Sequence, residues 1–290
     1  YKRQEYAYDE DGNTEKVTLN SGVTITEAQS VFGQRTGRTY KNAENETILD
    51  VSISYLENAN GSKSEYLGSY KNGSDAAYVY SYDGNGNITS IVHGNERTTY
   101  VYDGPNQLIR VNDSASNTTT IYTYDQGGNI ISKIEYNYTS GRLPSNTRNT
   151  YTYSYDSEWK DLLVSYNGEA ITYDEIGNPL SYCGYDMTWN GRQLHNMYNA
   201  EKNLTFTYDE NGMRVGKDAV STVGGNKSRL DKTTYTYAGS QLVSEMRRNV
   251  NGIVAAAMQY SYDTDGTMVS VKYNGTEYYY CLLYTSPSPR

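Results

Sequence analysis

The sequence predicts an all-β protein, a long, twisted antiparallel sheet of repeated β-hairpins. Three observations predict it. Tyr-Asp pairs recur at 8–9, 82–83, 102–103, 124–125, 155–156, 173–174, 185–186, 208–209 and 262–263. The chain carries 34 tyrosines against two phenylalanines, so its apolar surface is built largely from rings that keep a hydroxyl near water. No segment sustains a 3.6-residue apolar period, and before residue 281 only Pro105, Pro144 and Pro179 interrupt the chain.

Each unit explains itself locally. In "YTYDQGGNIISKI", Tyr122 to Ile134, two rings at i and i+2 lie on one face of a strand, and the Thr between them faces the other way. Asp suits the first position of a type I turn, where its carboxylate accepts from the turn's own N–H groups. Gly at i+3 takes φ > 0 and lets the chain enter the returning strand through a bulge. This assigns a structural turn role to Tyr82, Asp83, Gly86 and Asn87, to Tyr124, Asp125, Gly128 and Asn129, and to Tyr173, Asp174, Gly177 and Asn178. It assigns the same role to Tyr208, Asp209 and Gly212. A weaker unit, "YTYAGSQLV", begins at Tyr235. An irregular period near 20 is the signature of stacked repeats whose insertions are absorbed in loops, here about twenty strands in one ribbon.

Composition excludes several function classes. A formal charge of -9 argues against a nucleic-acid partner, since phosphate neutralisation needs a basic face. No apolar run approaches the length of a membrane span, and "YKRQEYAYDE" has no apolar leader segment. "YDEDGN" and "YDTDGT" place Gly12 and Gly266 fourth in the loop, too early for an EF-hand. His93 and His195 have no partner at a recognisable spacing, and there is no Gly-x-Ser-x-Gly elbow. Cys183 reads as a small core residue. Trp159 and Trp189 could stack on a sugar, but most carboxylates sit at turn positions rather than in glycosidase pairs. We therefore expect no catalytic residue, metal or cofactor.

The Tyr-Asp-x-x-Gly-Asn units resemble the RHS/YD-repeat family. The match is tightest in "YDEIGNPLSY" (173–182), "MTWNGRQL" (187–194) and "LTFTYDENGMRVGK" (204–217), a succession similar to RHS shells of clostridia-like Gram-positive bacteria. It covers 66–280 well as a repeat array and 1–65 loosely as degenerate repeats, with one such unit at "VFGQRTGRT" (31–39). The resemblance implies a ribbon that spirals into part of a hollow shell, with Trp189, Gly191 and Arg192 packing its core. It implies a secreted or cell-surface bacterial protein, non-catalytic in this segment, whose shell encloses a C-terminal toxin domain. Teneurins and insecticidal toxin-complex subunits use similar shells. The family's aspartate-dependent self-cleavage segment and the toxin are not matched here. The last ten residues, "CLLYTSPSPR" (281–290), resemble the translation of a sequencing adapter read into a gene from environmental DNA. The alternative reading is an extracellular repeat module that binds carbohydrate or a cell surface. The shell reading expects strand edges with exposed rings, which invite self-association, whereas an autonomous binding module would be a cooperatively melting monomer.

Overall fold

The computed structural model describes residues 5–10, 12, 14–58, 61–223, 228–264 and 266–280. The tail 281–290, with its adapter-like reading, lies outside them. Among the described residues there is no α-helix, and twenty-five strands follow one another in strict sequence order, each antiparallel to its neighbour within its own sheet. The all-β hairpin fold is therefore as the sequence predicts. The strands form a fifteen-stranded and a ten-stranded sheet rather than one continuous ribbon. The break falls between Glu169–Ala170 and Ser181–Tyr182. There Pro179, which has no N–H to give to a ladder, makes only an isolated bridge with Tyr173. The chain divides into two compact units, the first up to Thr152 and the second Tyr153–Tyr280.

Alternation decides which groups are covered. In Thr118–Tyr124, paired with Ile130–Asn137, Tyr122 and Tyr124 are half-buried while Thr123 between them is exposed. The Thr123 and Ser132 hydroxyls meet across the ladder at 2.6 Å on the open face. In Tyr78–Tyr82 the ring of Tyr80 is buried and Val79 and Ser81 are exposed. The core of the first unit is correspondingly made of Tyr40, Tyr70, Tyr80 and Tyr100 with Leu67, Ile88 and Leu108. The second unit buries Ile171, Met187, Phe206, Ala219 and Val269. Rings on neighbouring strands cover one another. Tyr78 stacks on His93 at 3.9 Å and Tyr66 meets Tyr82 at 4.9 Å, while in the second unit Tyr153 meets Tyr166 at 5.3 Å. Each buried ring contributes on the order of 2 kcal/mol by apolar burial.

The interval between the Tyr-Asp pairs at Asp125 and Asp156 holds a loop over residues 138–148. Polar groups fix it. Arg110 donates through Nη2 to the carbonyls of Thr139 (2.8 Å) and Gly141 (2.9 Å). The fully buried Thr119 hydroxyl accepts from the Thr139 N–H at 2.9 Å. Arg148 donates to the Asn117 carbonyl at 3.0 Å. The insertion is thus tied back onto the preceding hairpin, Leu108–Asp113 and Thr118–Tyr124.

The first unit also holds a buried ion pair. Glu27 accepts from Arg35 Nε at 2.7 Å and from Arg38 Nε at 3.0 Å, and it also bonds Arg38 Nη2. The Glu27 and Arg38 side chains are 6% and 8% exposed. Removing one partner of such a pair strands a charge in a dry site. Glu27→Ala is therefore expected to lower the unfolding free energy by about 3–5 kcal/mol, and Glu27→Leu with Arg38→Met to recover most of that loss. Urea denaturation of the two variants reads the difference, and equal losses in both would contradict it.

Candidate functional site

Most Tyr-Asp pairs lead into turns of one five-residue geometry, whereas Asp156 opens a longer turn that closes on Leu162 and Asp186 lies inside the strand Tyr185–Asn190. Asp83 gives its N–H to the Asn87 carbonyl (3.0 Å), and its carbonyl accepts from Gly86 N–H (3.2 Å). Its Oδ1 accepts from the N–H groups of Asn85 and Asn87, both at 2.9 Å, and Oδ2 accepts from Asn87 Nδ2 at 3.0 Å. Asp125 repeats every contact with Gly127, Gly128 and Asn129. Asp174 repeats them with Ile176, Gly177 and Asn178. Asp209 keeps the backbone set with Asn211, Gly212 and Met213. Gly86, Gly128, Gly177 and Gly212 have φ of 84°, 93°, 83° and 78°. This is a type I turn closed by a bulge, and the ladder register shifts beside Tyr82, Tyr124 and Tyr208. The loosely matching region uses the same frame with other side chains: Ser30 before Gly33, and Asn42 before Asn45.

A second feature was not read from the sequence. In seven units the tyrosine that precedes the turn donates its phenol to a backbone carbonyl of the preceding hairpin. Tyr82 reaches Leu67 (3.0 Å), Tyr102 reaches Ile88 (3.0 Å) and Tyr124 reaches Leu108 (2.6 Å). Tyr173 reaches Leu163 (2.5 Å), Tyr208 reaches Leu194 (3.0 Å), Tyr237 reaches Arg214 (3.1 Å) and Tyr262 reaches Leu242 (2.7 Å). Tyr55, in the loosely matching region, reaches Arg35 at 3.1 Å. The accepting residue sits just beyond the last pair of the ladder between the two hairpins. Arg110↔Ile121 ends one such ladder, and Leu108 lies two residues further on. The phenol closes that gap.

The sequence offered a signal for this bond. Two residues before the tethering tyrosine, Phe206 and Ile171 stand where other units have Tyr80, Tyr100 or Tyr122. At the tethering position itself the residue is Tyr in every one of these units. One ring position therefore needs only bulk, and the other needs a hydroxyl.

Electrostatics follow the geometry. The Asn87 side chain, then backbone N–H groups working against burial, hold the Asp83 carboxyl below its ordinary 3.8. Asp125 is lowered first by Asn129, and Asp174 first by the Asn178 N–H. Burial, then neighbouring Tyr100 and Asp83, pushes the Tyr102 phenol up to about 12, and burial with Tyr122 and Asp103 does the same for Tyr124. Tyr102 and Tyr124 are thus hydrogen-bond donors at any physiological pH.

Of the residues expected to pack the shell core, Trp189 is half-buried and donates from Nε1 to the Pro179 carbonyl at 2.7 Å. Gly191 and Arg192 are exposed rather than in the core. Gly191 opens a two-residue turn at φ 57°, and its carbonyl accepts from Asn178 Nδ2 at 2.8 Å. Cys183, expected in the core, is exposed at φ 49°, because it forms half of a tight turn with Gly184. His93 is committed to its stack with Tyr78, and His195 is exposed on another strand. Among the described residues no group of three or more His, Cys, Asp or Glu is placed to hold a metal, and no helix is long and apolar enough to cross a membrane.

Repeated turn, tether and sequential ladder define an array of stacked β-hairpins. No family model matches the chain. It is 28% identical over 268 residues to the tRNA3(Ser)-specific nuclease WapA of Bacillus spizizenii, an alignment that covers 82% of this chain and 10% of that protein. The crystal structures of TcdB2-TccC3-Cdc42 and of TcdB2-TccC3 superpose with TM-scores of 0.59 and 0.58 at 17% identity. They cover 93% and 94% of this chain and 16% of each solved chain. At that identity the superpositions show a shared fold. Together these likenesses support the RHS/YD-repeat relationship to which the sequence points. The chain spans about a tenth of the curated relative's length.

Two predictions follow from the turn chemistry. A valine at Gly128 would have to hold φ near 93° with its Cβ about 3.1 Å from Gln107 Nε2. Gly128→Val should cost about 1–3 kcal/mol and lower Tm more than Asp125→Ala. Gly104→Ala, where a Cβ meets nothing within 4 Å, should stay within about 0.5 kcal/mol of the parent. A calorimetric ranking in any other order contradicts the turn assignment.

The second concerns pH. A depressed folded pKa at Asp83, Asp125 and Asp174 means stability that is present above 3.8 and lost as pH falls below it. A raised folded pKa at Tyr102 and Tyr124 means stability present below 10.0 and lost as pH rises toward about 12. Urea midpoints should form a plateau between these limits with a fall on each side. A midpoint still rising below pH 3 or above pH 11 would refute both assignments.

Proposed function

We propose that this chain is a wall segment of an RHS/YD-repeat shell in a secreted or cell-surface bacterial toxin, and that the shell encloses a C-terminal toxin domain of the whole protein. The observation that carries the reading is the tethered ladder. Each hairpin is closed by its own turn and tied to its predecessor, so the array extends by adding copies and forms a wall. Its likeness to TcdB2-TccC3 over nearly the whole chain supports the same architecture. The similarity to WapA, a protein named for a tRNA nuclease activity, supports placement in a toxin-related chain.

In this reading residues 66–280 are the array proper and 1–65 a degenerate continuation of it. The segment itself is non-catalytic. The turn aspartates are consumed by N–H groups of their own loops, which leaves them poor bases and poor metal ligands. Nuclease chemistry belongs to a domain elsewhere in the parent protein.

The purified chain, incubated with tRNA and Mg²⁺, should leave the RNA intact. Cleavage that disappears with Asp125→Ala or Asp209→Ala would sink the non-catalytic reading. For encapsulation, the parent protein should be digested with and without residues 66–280. The C-terminal domain should resist protease in the intact protein and be cut when the array is deleted. A C-terminal domain digested equally in both would overturn enclosure.

A further inference from the structure

The first unit carries a polar cluster that neither the turns nor the tethers use. The strand Ile130–Asn137 pairs with Asn149–Tyr155 through only four residue pairs, from Ser132↔Thr152 to Glu135↔Asn149, and the loop over residues 138–148 joins them. Lys133 stands opposite Tyr151 and Glu135 opposite Asn149. By the two-residue period of a strand, all four side chains lie on one face. On that face one carboxylate holds two nitrogens. Glu135 Oε1 accepts from Lys133 Nζ at 2.7 Å, and Oε2 accepts from the Asn149 amide Nδ2 at 2.8 Å. The Lys133 ammonium also lies 5.0 Å from the centre of the Tyr151 ring. The Lys133 and Glu135 side chains are 31% and 19% exposed, so the carboxylate is largely shielded from water. Arg148, the other cation that acts on Glu135, donates to the Asn117 carbonyl and the Thr118 hydroxyl.

A lysine, an asparagine and a carboxylate between them are the groups that an amide exchange needs. The amine is the nucleophile, the carboxamide carbon is the electrophile, and a carboxylate in contact with both nitrogens relays protons from one to the other. Lys133 and Asn149 are diagonal neighbours across the ladder, about 7–8 Å apart at Cα and within reach of a lysine stem. We propose that Lys133 and Asn149 form an isopeptide bond with Glu135 as the proton relay, a covalent brace across the strand pair that the 138–148 loop connects. Closing a long loop costs more chain entropy than closing a short one, so a covalent link here stabilises more than one across a tight turn.

The step balances without an oxidant or a cofactor. Lys133 Nζ gives a proton to Glu135, and the neutral amine attacks Asn149 Cγ. The Nζ–Cγ bond forms, the Cγ–Nδ2 bond breaks, and Nδ2 leaves as ammonium. Both protons lost by Nζ end on the leaving nitrogen, and Glu135 returns to its carboxylate. Before reaction the proton sits on lysine. Burial works against the Lys133 charge, but Glu135, with Tyr122 and Tyr151, holds the ammonium above its ordinary 10.5. Lys133, then Asn149, holds the Glu135 carboxyl below 4.5. The neutral amine is therefore a minor species, and the bond forms slowly, after folding has brought the three groups together. The product is a single self-modification without turnover, so the non-catalytic reading of the segment stands. The proposal rests on this cluster alone and stands or falls separately from the shell reading.

The test is mass spectrometry of the full chain, as purified and after days of warming at neutral pH. The chain should lose the mass of one ammonia. A succinimide at an Asn-Gly pair loses the same mass, so the bond itself is read from a tryptic digest. The expected product is a branched peptide in which the chain is uncut after Lys133 and residues 149–160 hang from its side chain. Lys133→Arg and Asn149→Ala should give only linear peptides. Glu135→Gln keeps the shape but cannot relay a proton, and it should slow bond formation at least about a hundredfold. Circular dichroism of the freshly made proteins should show the same β-sheet in parent and variants, which separates a lost bond from a lost fold. Only linear peptides from the folded parent, or equal bond formation in Glu135→Gln, would overturn the proposal.

Discussion

A sheet built by adding hairpins in sequence has one recurring weak place. Each turn widens its hairpin by a bulge, so the ladder to the neighbouring hairpin stops before the turn is reached, and a carbonyl next to the core is left without a ladder partner. A buried carbonyl without a donor costs about as much as a hydrogen bond is worth. Here the donor is a tyrosine hydroxyl, from Tyr102 to Ile88, from Tyr124 to Leu108, from Tyr208 to Leu194 and in the other units alike. The same ring covers apolar surface and completes the backbone accounting. This accounts for tyrosine rather than phenylalanine at the tethering positions.

The turns were legible in the sequence because their chemistry is local. Asp, then Gly three residues on, then Asn states both who accepts and where φ must be positive, and the geometry of Asp83, Asp125 and Asp174 contains little beyond that statement. The covered face was legible for the same reason, since a period of two residues fixes it. The tether spans 14 to 16 residues between Tyr102 and Ile88, Tyr208 and Leu194, and Tyr124 and Leu108, so no local pattern announces it. Its trace is only the contrast between Phe206, which serves as a ring, and Tyr208, which must also donate. Asn106 shows a related gap. It replaces glycine in "YDGPNQ" and still takes φ 67°, because asparagine tolerates the left-handed region.

The break in the ladder was visible as a proline yet not readable as a break. Pro179 sits in "YDEIGNPLSY", a segment that otherwise keeps the turn pattern of its neighbours, and it lacks the N–H that a continuing ladder needs. The consequence is local and physical. The sheet interrupts, two short type I′ hairpins face each other, and a cleft appears with Cys183 exposed at its rim. Arg192 shows the converse limit, since a residue inside a matching motif need not share the core role assigned to that motif.

The central claim is that the tethering hydroxyl, as distinct from its ring, joins one hairpin to the next. The most direct measurement compares Tyr124→Phe with Tyr122→Phe by urea denaturation at neutral pH. Both variants keep a ring on the same face of the same strand, and only the first removes the donor to Leu108. The account predicts that Tyr124→Phe loses about 1–2 kcal/mol while Tyr122→Phe stays within about 0.5 kcal/mol of the parent. Equal effects, or a larger loss at Tyr122, would show that the rings alone hold the ribbon together.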